Sequence, residues 1–531
     1  MPKTIYLTTP LYYVNASPHI GHSYTTIATD ALARYYRLRG RDVFLLTGTD
    51  EHGQKIAQAA AKSGKDPQAF TDEVSERFRT LWGPLQIRYD DYIRTTQPRH
   101  VQAVQQIVAR LKESGKLHQE SYEGWYCTPD ETFYAEAELQ RVDGKPACPA
   151  CGRPVEFVKE EGWHLPLEAE RAWLKRYIDE HPDWIQPATR YNELKSLLEQ
   201  PLPKTLCITR PKSRISWGIE VPFATDLVVY VWIDALFNYI TVPGYPSDPK
   251  RFETLWPAEA HFIGKDILRH HALYWPILLH ALDLPLPRRI VAHGHWKVGE
   301  QKMSKSLGNI IDPYVVMHEL LKGQPYAADI YRYFLLREIP FGGNGSFSED
   351  ALLKRLGADL ANDLGNLVNR TCSMIKRYRE GRIAIPPVEA PNAAGGPRLL
   401  ARTVEALGAQ VEQAMERIEF SDALAAIMHV VSQANQFIEA EAPWKLAKDP
   451  GAAAKLDAVL GALAGVIRTI GALIEPFMPS VGPAITSQLG LARSAAPAWT
   501  DAAWPTATLS VQIGEHPVLF PRVEAKPVAS R

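Results

Sequence analysis

The sequence predicts an α/β protein built on a doubly wound parallel sheet, with an inserted segment and a following all-helical domain. Short apolar, β-prone runs alternate with helix-period segments up to about residue 115 and again after about residue 225. Between them lies a segment that carries four of the chain's five cysteines, three of them clustered at residues 127–151. From about Ser346 onward the composition becomes alanine-rich and helical. These shifts divide the chain into two halves of one sheet, an insert and a helical domain.

The first stretch reads as a strand, a turn and the start of a helix. Ile5 to Leu7 is a short apolar run, Ser17 is a good N-cap, and Pro18 suits a first helical position. His19 and His22 then fall in the first helical turns, on one side of a helix N-terminus that favours a phosphate. Gly21 between them leaves room for a ligand. The alternative is that both histidines are ordinary polar residues on an exposed helix start.

A second stretch, residues 299–309, places two lysines and two serines in a loop between glycines. Ammonium groups such as those of Lys302 and Lys305, with Ser304 between them, can close over a triphosphate and neutralise the departing pyrophosphate. The alternative is a solvated basic loop. An early His-Ile-Gly-His and a later Lys-Met-Ser-Lys-Ser form the double signature of the class I aminoacyl-tRNA synthetases, which this chain resembles.

A second predicted strand runs from Asp42 to Leu46 and ends in a polar segment that contains Asp50. Ligands of doubly wound sheets bind beyond the carboxyl ends of the strands, so Asp50 is placed to hold a substrate ammonium group. The alternative role for Asp50 is a helix N-cap.

The inserted segment carries a possible metal site. Cys148-Pro-Ala-Cys151-Gly has the spacing of a zinc knuckle, whereas the earlier pair reads Cys127-Thr-Pro-Asp130. Aspartate can ligate zinc through oxygen, so the sequence predicts a structural Zn²⁺ site of three cysteines and one aspartate. The alternative is a degenerate knuckle that has lost its metal.

Beyond the insert the chain returns to the sheet. Leu227 to Ile233 is predicted as a continuous apolar strand, and Ala260–Gly264 and Arg289–Ala292 as two more. Trp232, Tyr239 and His271, taken singly, are more typical of packed core residues. Collected at strand ends, such an aromatic set suits an unbranched thioether side chain, because sulfur packs well on aromatic faces.

The helical part contains a polar stripe. Asn362, Asn366 and Arg370 follow one another at i, i+4 and i+8, and such side chains can read base edges. Trp444 could stack on an unpaired base, or could simply pack at a helix junction. Because the net charge is only −1, contact with RNA must come from local basic patches such as Arg370 to Arg379.

Four motifs occur in order: Thr-Pro-Leu-Tyr-Tyr-Val-Asn, Tyr-Val-Trp-Ile-Asp-Ala, Phe-Ile-Gly-Lys-Asp-Ile and Lys-Met-Ser-Lys-Ser. Together they resemble the bacterial methionyl-tRNA synthetase family. The resemblance implies a Rossmann-like catalytic domain, ATP with Mg²⁺, L-methionine, and initiator and elongator tRNA(Met) read at its CAU anticodon. The implied methionine-binding residues are Leu11, Tyr13, Asp50, Trp232, Ala235, Leu236, Tyr239, Ile267 and His271. Leu236 stands where several relatives have proline.

The same resemblance assigns further roles. His19, His22, Lys302 and Lys305 are implied as catalytic groups on the ATP phosphates. The implied ATP contacts are Gly21, Gly264, Asp266 and Ser304, and the implied anticodon readers are Asn362, Asn366, Arg370 and Trp444. The expected divisions are 1–115 and 225–292 for the catalytic halves, 116–224 for the insert, 293–345 for the lysine-loop and stem-contact region, and 346–531 for the anticodon-binding domain.

The remaining expectations concern location and assembly. The chain begins without a basic, then apolar signal segment, and Val459 to Phe477 reads as a buried helix, so a cytoplasmic protein is expected. A monomer is expected, because the chain stops shortly after a tail that resembles the end of the family's catalytic core.

Two other functions compete with aminoacylation. A smaller nucleotidylyltransferase could share the histidine-bearing helix but would lack the helical domain. A non-catalytic RNA-binding relative would lose the phosphate-binding groups, which are present here.

Overall fold

The computed structural model describes residues 3–128, 131–134, 136–149, 151–200, 203–298, 301–302, 310–388, 396–491 and 499–522. Tertiary contacts divide the chain into two units, each described separately below. The first unit contains residues 1–18, 43–83 and 88–294, and the second contains 19–42, 84–87 and 295–531.

The strands, in chain order, are β1 (Ile5–Thr8), β2 (Tyr12–Tyr13), β3 (Val43–Asp50), β4 (Asp91–Arg94), β5 (His118–Cys127), β6 (Thr132–Tyr134), β7 (Gln140–Val142), β8 (Lys145–Ala147), β9 (Glu156–Pro166), β10 (Ile185–Gln186), β11 (Thr205–Cys207), β12 (Thr209–Pro211), β13 (Glu220–Val221), β14 (Ala224–Val229), β15 (Ala260–Gly264), β16 (Ile290–His293), β17 (Trp296–Val298), β18 (Gln301–Lys302), β19 (Gly345–Phe347), β20 (Arg382–Ile385) and β21 (Leu509–Gln512).

The helices, in chain order, are α1 (Ile20–Leu38), α2 (Gln54–Lys62), α3 (Pro67–Trp82), α4 (Pro98–Glu113), α5 (Glu168–Glu180), α6 (Ala188–Glu199), α7 (Val231–Thr241), α8 (Pro249–Leu255), α9 (Trp275–Ala281), α10 (Pro313–Val315), α11 (Ala327–Arg337), α12 (Glu349–Arg355), α13 (Asn366–Arg379), α14 (Gly396–Glu416), α15 (Phe420–Glu441), α16 (Pro443–Leu446), α17 (Ala453–Ile474), α18 (Val481–Gln488) and α19 (Trp499–Ala502). Three π-helical segments, His270–Tyr274, Val316–Leu320 and Leu356–Gly365, and three short 3₁₀ turns, Glu136–Glu138, Lys265–Ile267 and Pro450–Ala452, complete the set.

The first unit is centred on a seven-stranded sheet in the order β10-β16-β15-β1-β3-β2, with β4 also paired to β3. Every pairing in this sheet is parallel. Every residue of β1 and of β16 is buried, as expected for strands covered on both faces. The predicted doubly wound parallel sheet is therefore confirmed.

The insert forms smaller antiparallel sheets. One has the order β11-β9-β5-β6, a second has the order β12-β14-β13, and β7 pairs with β8. The longest pairing, between β5 and β9, runs from His118 opposite His164 to Tyr126 opposite Glu156.

The prediction of one strand from Leu227 to Ile233 is wrong in two respects. β14 ends at Val229 and pairs antiparallel with β12 and β13, outside the main sheet. The chain then turns at Tyr230, and α7 begins at Val231. A short apolar run fits a buried strand and a buried helix equally well, and no glycine or proline marks this boundary.

The second unit is largely helical, as predicted. α14 and α15 pack on each other and on α17, which also packs on α18. Unpredicted strands accompany the helices: β20 pairs antiparallel with β21, and β17 pairs with β18 and β19.

One helical stretch, Pro450–Ile474, is long and apolar enough to cross a bilayer, with a mean hydropathy of 1.7. However, 83% of its most apolar window is buried by the rest of the protein, as in the core helix of a soluble protein. The expectation of a buried helix here is confirmed.

Candidate functional site

The two histidines of the first motif build the N-terminus of α1. α1 begins at Ile20, so the prediction that Ser17 caps the helix and Pro18 opens it is wrong. His19 is itself the N-cap: its Nδ1 accepts from the Gly21 N–H at 3.1 Å, and the His22 Nδ1 accepts from the His19 N–H at 3.1 Å. This reciprocal pair is a capping box made from two imidazoles in place of a serine and a glutamate.

The same hydrogen bonds assign the ring tautomers. Because Nδ1 accepts in both rings, a neutral imidazole at either position carries its proton on Nε2. The rings stack with their centroids 3.8 Å apart. Two parallel N–H donors at a helix N-terminus are suited to an anionic oxygen.

Gly21 has a steric reason in the structure. A Cβ placed there would lie 2.9 Å from the His19 Cε1 atom. The absence of a side chain at Gly21 therefore leaves room for the His19 ring.

The predicted lysine loop lies almost entirely outside the described residues. Ser304 and Lys305 are among residues 303–309, which the structure does not describe. Lys302 is placed by its backbone, as the second residue of β18, opposite Lys297.

The expected methionine-binding residues lie in the first unit and come from four of its segments. Leu11, Tyr13, Trp232 and Ile267 are half-buried and pack against one hydrophobic core, to which Leu236 and Tyr239 belong. Ala235 is half-buried on α7. Trp232, Ala235, Leu236 and Tyr239 follow the i, i+3, i+4, i+7 spacing of a single helix face, which exists because this stretch is helical.

Tyr239 and His271 form a buried pair. His271 Nδ1 lies 3.0 Å from the Ile267 carbonyl oxygen, and its Nε2 lies 2.8 Å from the Tyr239 hydroxyl. A carbonyl oxygen can only accept, so Nδ1 carries the proton and the tyrosine hydroxyl donates to Nε2. Burial lowers the pKa of His271 to about 4, which keeps the ring neutral at physiological pH.

Two further histidines in this region were not singled out from the sequence. His261 stacks on Tyr239 at 4.2 Å, and its Nδ1 lies 2.7 Å from the Thr8 hydroxyl. His270 stacks on Trp232 at 3.8 Å, and neither of its ring nitrogens has a hydrogen-bonding partner among the described residues. Burial holds the pKa of both rings well below the usual value, so they act as neutral aromatic surfaces.

Asp50 is the last residue of β3 and is 5% exposed. The alternative role as a helix cap is wrong, because α2 has Gly53 at its N-cap. Within the described part of the chain, Asp50 Oδ1 is buried and has no hydrogen-bonding partner. Burial raises the pKa of Asp50 well above its usual range, and the negative charges of Asp234 and Glu131 raise it further.

Asp234 is buried nearby but has partners on both oxygens. His52 Nδ1 lies 2.7 Å from Oδ2, and His100 Nε2 lies 2.8 Å from Oδ1. Burial alone would raise the pKa of Asp234, yet the contacts with His52 and His100 hold it below the usual value. Neither imidazole was singled out from the sequence, since they lie far apart along the chain.

The implied adenosine-side residues follow β15. Gly264 ends that strand, and Asp266 lies in the 3₁₀ turn Lys265–Ile267, where its side chain is exposed. A Cβ at Gly264 would lie 2.5 Å from the Asp266 Oδ1 atom, so the carboxylate would have to move aside if this glycine carried a side chain.

Three of the four predicted zinc ligands come together. The sulfur atoms of Cys127, Cys148 and Cys151 lie within 4.8 Å of one another, and the Cys127 and Cys151 sulfurs are 3.6 Å apart. Four ligands at a Zn–S distance of about 2.3 Å in a tetrahedron would place sulfurs about 3.8 Å apart, so the three thiols fit zinc. Asp130 lies outside the described residues.

The backbone around Cys148 and Cys151 also fits a zinc knuckle. The Gly152 N–H donates to the Cys148 carbonyl at 2.8 Å, and Gly152 has a φ of 71°, in the left-handed region that favours glycine. Cys207 and Cys372 are buried away from this cluster.

The expected anticodon-reading residues lie around α13. Arg370 packs its guanidinium 5.9 Å from the Trp444 ring centre and donates to Glu439 at 2.7 Å. Trp444 is half-buried, Asn366 is half-buried, and Asn362 is exposed. Asn362 lies in the π-helical segment Leu356–Gly365 and Asn366 begins α13, so the stripe predicted on one regular α-helix begins in a π-helical segment.

Comparison with known proteins gives matches over nearly the whole chain. A family described as "tRNA synthetases class I (M)" matches residues 5–154 and 141–372, and the "Anticodon binding domain of methionyl tRNA ligase" matches residues 389–529. The methionine–tRNA ligase of Caldanaerobacter subterraneus is 44% identical over 527 residues, covering 99% of this chain and 80% of that protein. The corresponding ligase of Bacillus subtilis is 41% identical over 541 residues, covering 99% and 78%.

A solved structure agrees with these matches. Mycobacterium tuberculosis methionyl-tRNA synthetase in complex with methionyl-adenylate superposes with a TM-score of 0.91 at 38% identity, covering 98% of this chain and 100% of that one. The parallel sheet, the helical domain and these near full-length matches together show that the chain belongs to the methionyl-tRNA synthetases, a family of class I aminoacyl-tRNA ligases.

Proposed function

We propose that this chain activates L-methionine with ATP, forming methionyl-adenylate and pyrophosphate, and then transfers the methionyl group to the terminal adenosine of tRNA(Met). One observation carries the choice of amino acid. A partnerless, buried carboxylate oxygen of Asp50 and a set of neutral aromatic side chains occur in the same unit, the first for an ammonium group and the second for a thioether. The names of the relatives support the same substrate.

The proposed surface for the thioether side chain of methionine needs no charged group. Tyr239, His261, His270 and His271 provide aromatic faces, and the three imidazoles are neutral. A polar isostere of methionine would bring a hydroxyl or amide into this surface without a matched partner, which costs binding energy.

The first chemical step is an in-line attack of the methionine carboxylate on the α-phosphorus of ATP. His19 and His22 donate Nε2–H to phosphate oxygens as negative charge develops on the leaving pyrophosphate. Lys302, Ser304 and Lys305 assist on the same oxygens, while Gly264 and Asp266 hold the adenosine. Mg²⁺ bound to the ATP phosphates would supply further charge neutralisation.

The second step transfers the methionyl group from the adenylate to a ribose hydroxyl of the tRNA terminus, the 2′ hydroxyl by class resemblance. No protein nucleophile is required. Asn362, Asn366, Arg370 and Trp444 bind the CAU anticodon of initiator and elongator tRNA(Met). The contact between the Arg370 guanidinium and the Trp444 ring supports this role, because it holds the ring as a platform on which a base can stack.

The metal proposal is a structural Zn²⁺ held by Cys127, Cys148 and Cys151, with Asp130 as the fourth ligand. Bound zinc would cross-link the knuckle to β5. We further propose a monomeric, cytoplasmic enzyme, which size-exclusion chromatography with light scattering and cell fractionation would test.

The decisive experiment is amino-acid-dependent ATP–pyrophosphate exchange, without tRNA, across the twenty amino acids. Exchange with methionine alone is expected. Exchange with another amino acid would overturn the pocket assignment, and no exchange would favour a non-catalytic or tRNA-dependent protein.

Trp444→Ala tests the anticodon assignment. The variant should retain exchange and lose tRNA charging, because the ring is needed only for the RNA. An equal loss of both activities would contradict its place in anticodon binding.

A further inference from the structure

One buried carboxylate is not explained by the proposed reaction. Glu131 comes from the insert, directly before β6, and is 3% exposed. Its Oε1 atom accepts from the Lys55 N–H at 2.8 Å, so it caps the first turn of α2, whose own N-cap Gly53 has no side chain. Its Oε2 atom is buried and has no partner with hydrogen-bonding geometry among the described residues, although the Tyr13 hydroxyl interacts with the carboxylate.

The carboxylate of Glu131 reaches the side chain of Tyr13. A Cβ placed on Gly53 would lie 2.5 Å from Glu131 Oε2 and 2.6 Å from the Tyr13 hydroxyl. Both groups therefore converge on the space that this glycine, with a φ of 106°, leaves open. The Tyr13 hydroxyl itself donates to the His52 carbonyl at 3.0 Å, at the turn that follows Asp50.

Charge links Glu131 to Asp50 as well. The negative charge of Glu131 is one of the causes that raise the pKa of Asp50, after burial and Asp234. Asp234 is matched by two imidazoles, whereas Asp50 Oδ1 and Glu131 Oε2 have no hydrogen-bonding partner in the described part of the chain. Burial raises the pKa of both carboxyls, and a positive charge placed between Asp50 Oδ1 and Glu131 Oε2 would favour their ionised forms.

The nearby cations are engaged elsewhere. The Lys55 ammonium lies 5.3 Å from the Tyr13 ring centre, and the Arg210 guanidinium stacks on Tyr230 at 3.8 Å while donating to the Thr209 carbonyl at 2.7 Å. They moderate the charge of Glu131 without bonding to Oε2. Neither cation thus occupies the space between Glu131 Oε2 and Asp50 Oδ1 as a hydrogen-bonding partner of either oxygen.

We propose that Glu131 is a second binding residue for the substrate ammonium group: the insert supplies it as a carboxylate beside Asp50, where it favours a bound positive charge and supports Tyr13 and the turn after β3. The proposal deepens the proposed function and rests on it. It makes the insert part of amino-acid binding, since Glu131 lies only four residues after Cys127.

The test uses Glu131→Gln in ATP–pyrophosphate exchange. Glutamine keeps an oxygen for the Lys55 N–H but removes the charge, so the KM for methionine should rise about tenfold or more while the KM for ATP stays unchanged. Glu161→Gln, an exposed glutamate of the same insert, is the matched control and should behave like the wild type.

Two ligands separate charge recognition from a structural cap. L-Methioninol carries the ammonium group without the carboxylate, and 4-(methylthio)butanoate carries the carboxylate without the ammonium. Glu131→Gln should weaken inhibition by methioninol about tenfold and leave inhibition by the butanoate unchanged. Equal weakening of both ligands, or of neither, would overturn the proposal.

A second variant keeps the proposal testable if Glu131→Gln does not fold. Glu131→Asp retains the charge but shortens the reach to the Lys55 N–H, so the ratio of methioninol to butanoate affinity should stay within about threefold of the wild type. If the methioninol-to-butanoate affinity ratio falls by more than about threefold in this variant, Glu131 acts only as a cap of α2 and the proposal is overturned. Failure of the wild type to exchange with methionine would instead overturn the proposed function, so the two failures are distinguishable.

Discussion

Helix α1, whose N-terminus carries His19 and His22, is anchored at its middle by a buried ion pair. Breaking that pair tests how strongly the helix depends on it for its stability. Arg332 on α11 and Asp30 on α1 both have fully buried side chains, with Nη2 2.7 Å from Oδ2. Arg332 also donates to three backbone carbonyls, those of Leu85, Pro476 and Phe477, at 2.9 to 3.1 Å. The perturbation is Arg332→Met, which keeps much of the side-chain volume and removes every donor.

The expected cost follows from these contacts. Three buried carbonyls each lose a donor, at about 1 kcal/mol apiece or somewhat more because the donor is charged. Asp30 loses one of its two arginines and keeps Arg34, whose Nε lies 2.7 Å from the same oxygen. Removing one partner of a buried ion pair generally costs about 3 to 5 kcal/mol, so the two estimates agree at roughly that value.

Native-state hydrogen exchange of the α1 amides measures this cost locally. A loss of about 3 to 5 kcal/mol corresponds to exchange faster by roughly a hundredfold to several thousandfold. Arg337→Met is the matched control on the same helix, because Arg337 is 25% exposed and lies 3.9 Å from Asp359, and it should change exchange less than fivefold. Less than a fivefold change in Arg332→Met would refute the reasoning, since the ion pair would then not anchor α1.

Three further predictions concern the candidate sites. Gly21→Ala should lower the rate of adenylate formation at least tenfold, because its Cβ would lie 2.9 Å from the His19 ring, and should change methionine affinity little. Pre-steady-state kinetics measures the rate of adenylate formation, and equilibrium binding measures the affinity for methionine. Cys148→Ser should lose zinc, measured by atomic emission, whereas Cys207→Ser, outside the thiol cluster, should keep it. His271, whose pKa falls from 6.5 to about 4 on folding, gives stability that is fully present above pH 6.5 and lost as the pH falls toward 4. Urea unfolding should show about 2 kcal/mol of this loss between pH 8 and pH 5, and none of it in His271→Gln.

The local pattern of the sequence was sufficient for four strands of the central sheet, although β3 extends to Asp50, four residues beyond the predicted end at Leu46, and β2, β4 and β10 were not predicted. Strands covered on both faces read as short apolar runs, and the predicted Ile5 to Leu7, Ala260–Gly264 and Arg289–Ala292 agree with β1, β15 and β16 within one residue at each end. The pattern failed at Leu227 to Ile233, where a strand and a helix are both buried and apolar. Only the tertiary partners, β12 and β13 on one side of Tyr230, separate the two elements.

The candidate site was predictable where its residues lie close together in the sequence, and not where they are brought together only by folding. His19 and His22 are three residues apart, so their shared position at a helix start follows from the sequence, although the capping box that replaces Ser17 does not. The contact between Glu131 and the Lys55 N–H joins residues 76 positions apart. No periodicity carries that information, because the contact exists only when the insert folds against the turn after β3.

Asp234 and Asp50 have the same side chain but opposite surroundings, and we expect them to play different roles. Asp234 is bound on both oxygens by His52 and His100, so its charge is satisfied before any substrate arrives. Asp50 has a buried oxygen without a partner among the described residues, and its pKa is raised by burial and by neighbouring carboxylates. A carboxylate in that state destabilises the empty site, and an incoming ammonium group relieves the cost. Binding of methionine should therefore lower the pKa of Asp50, because a positive charge favours its ionised form, and calorimetry in buffers of different ionisation enthalpy should detect protons released from this carboxyl at pH values between its free and bound pKa.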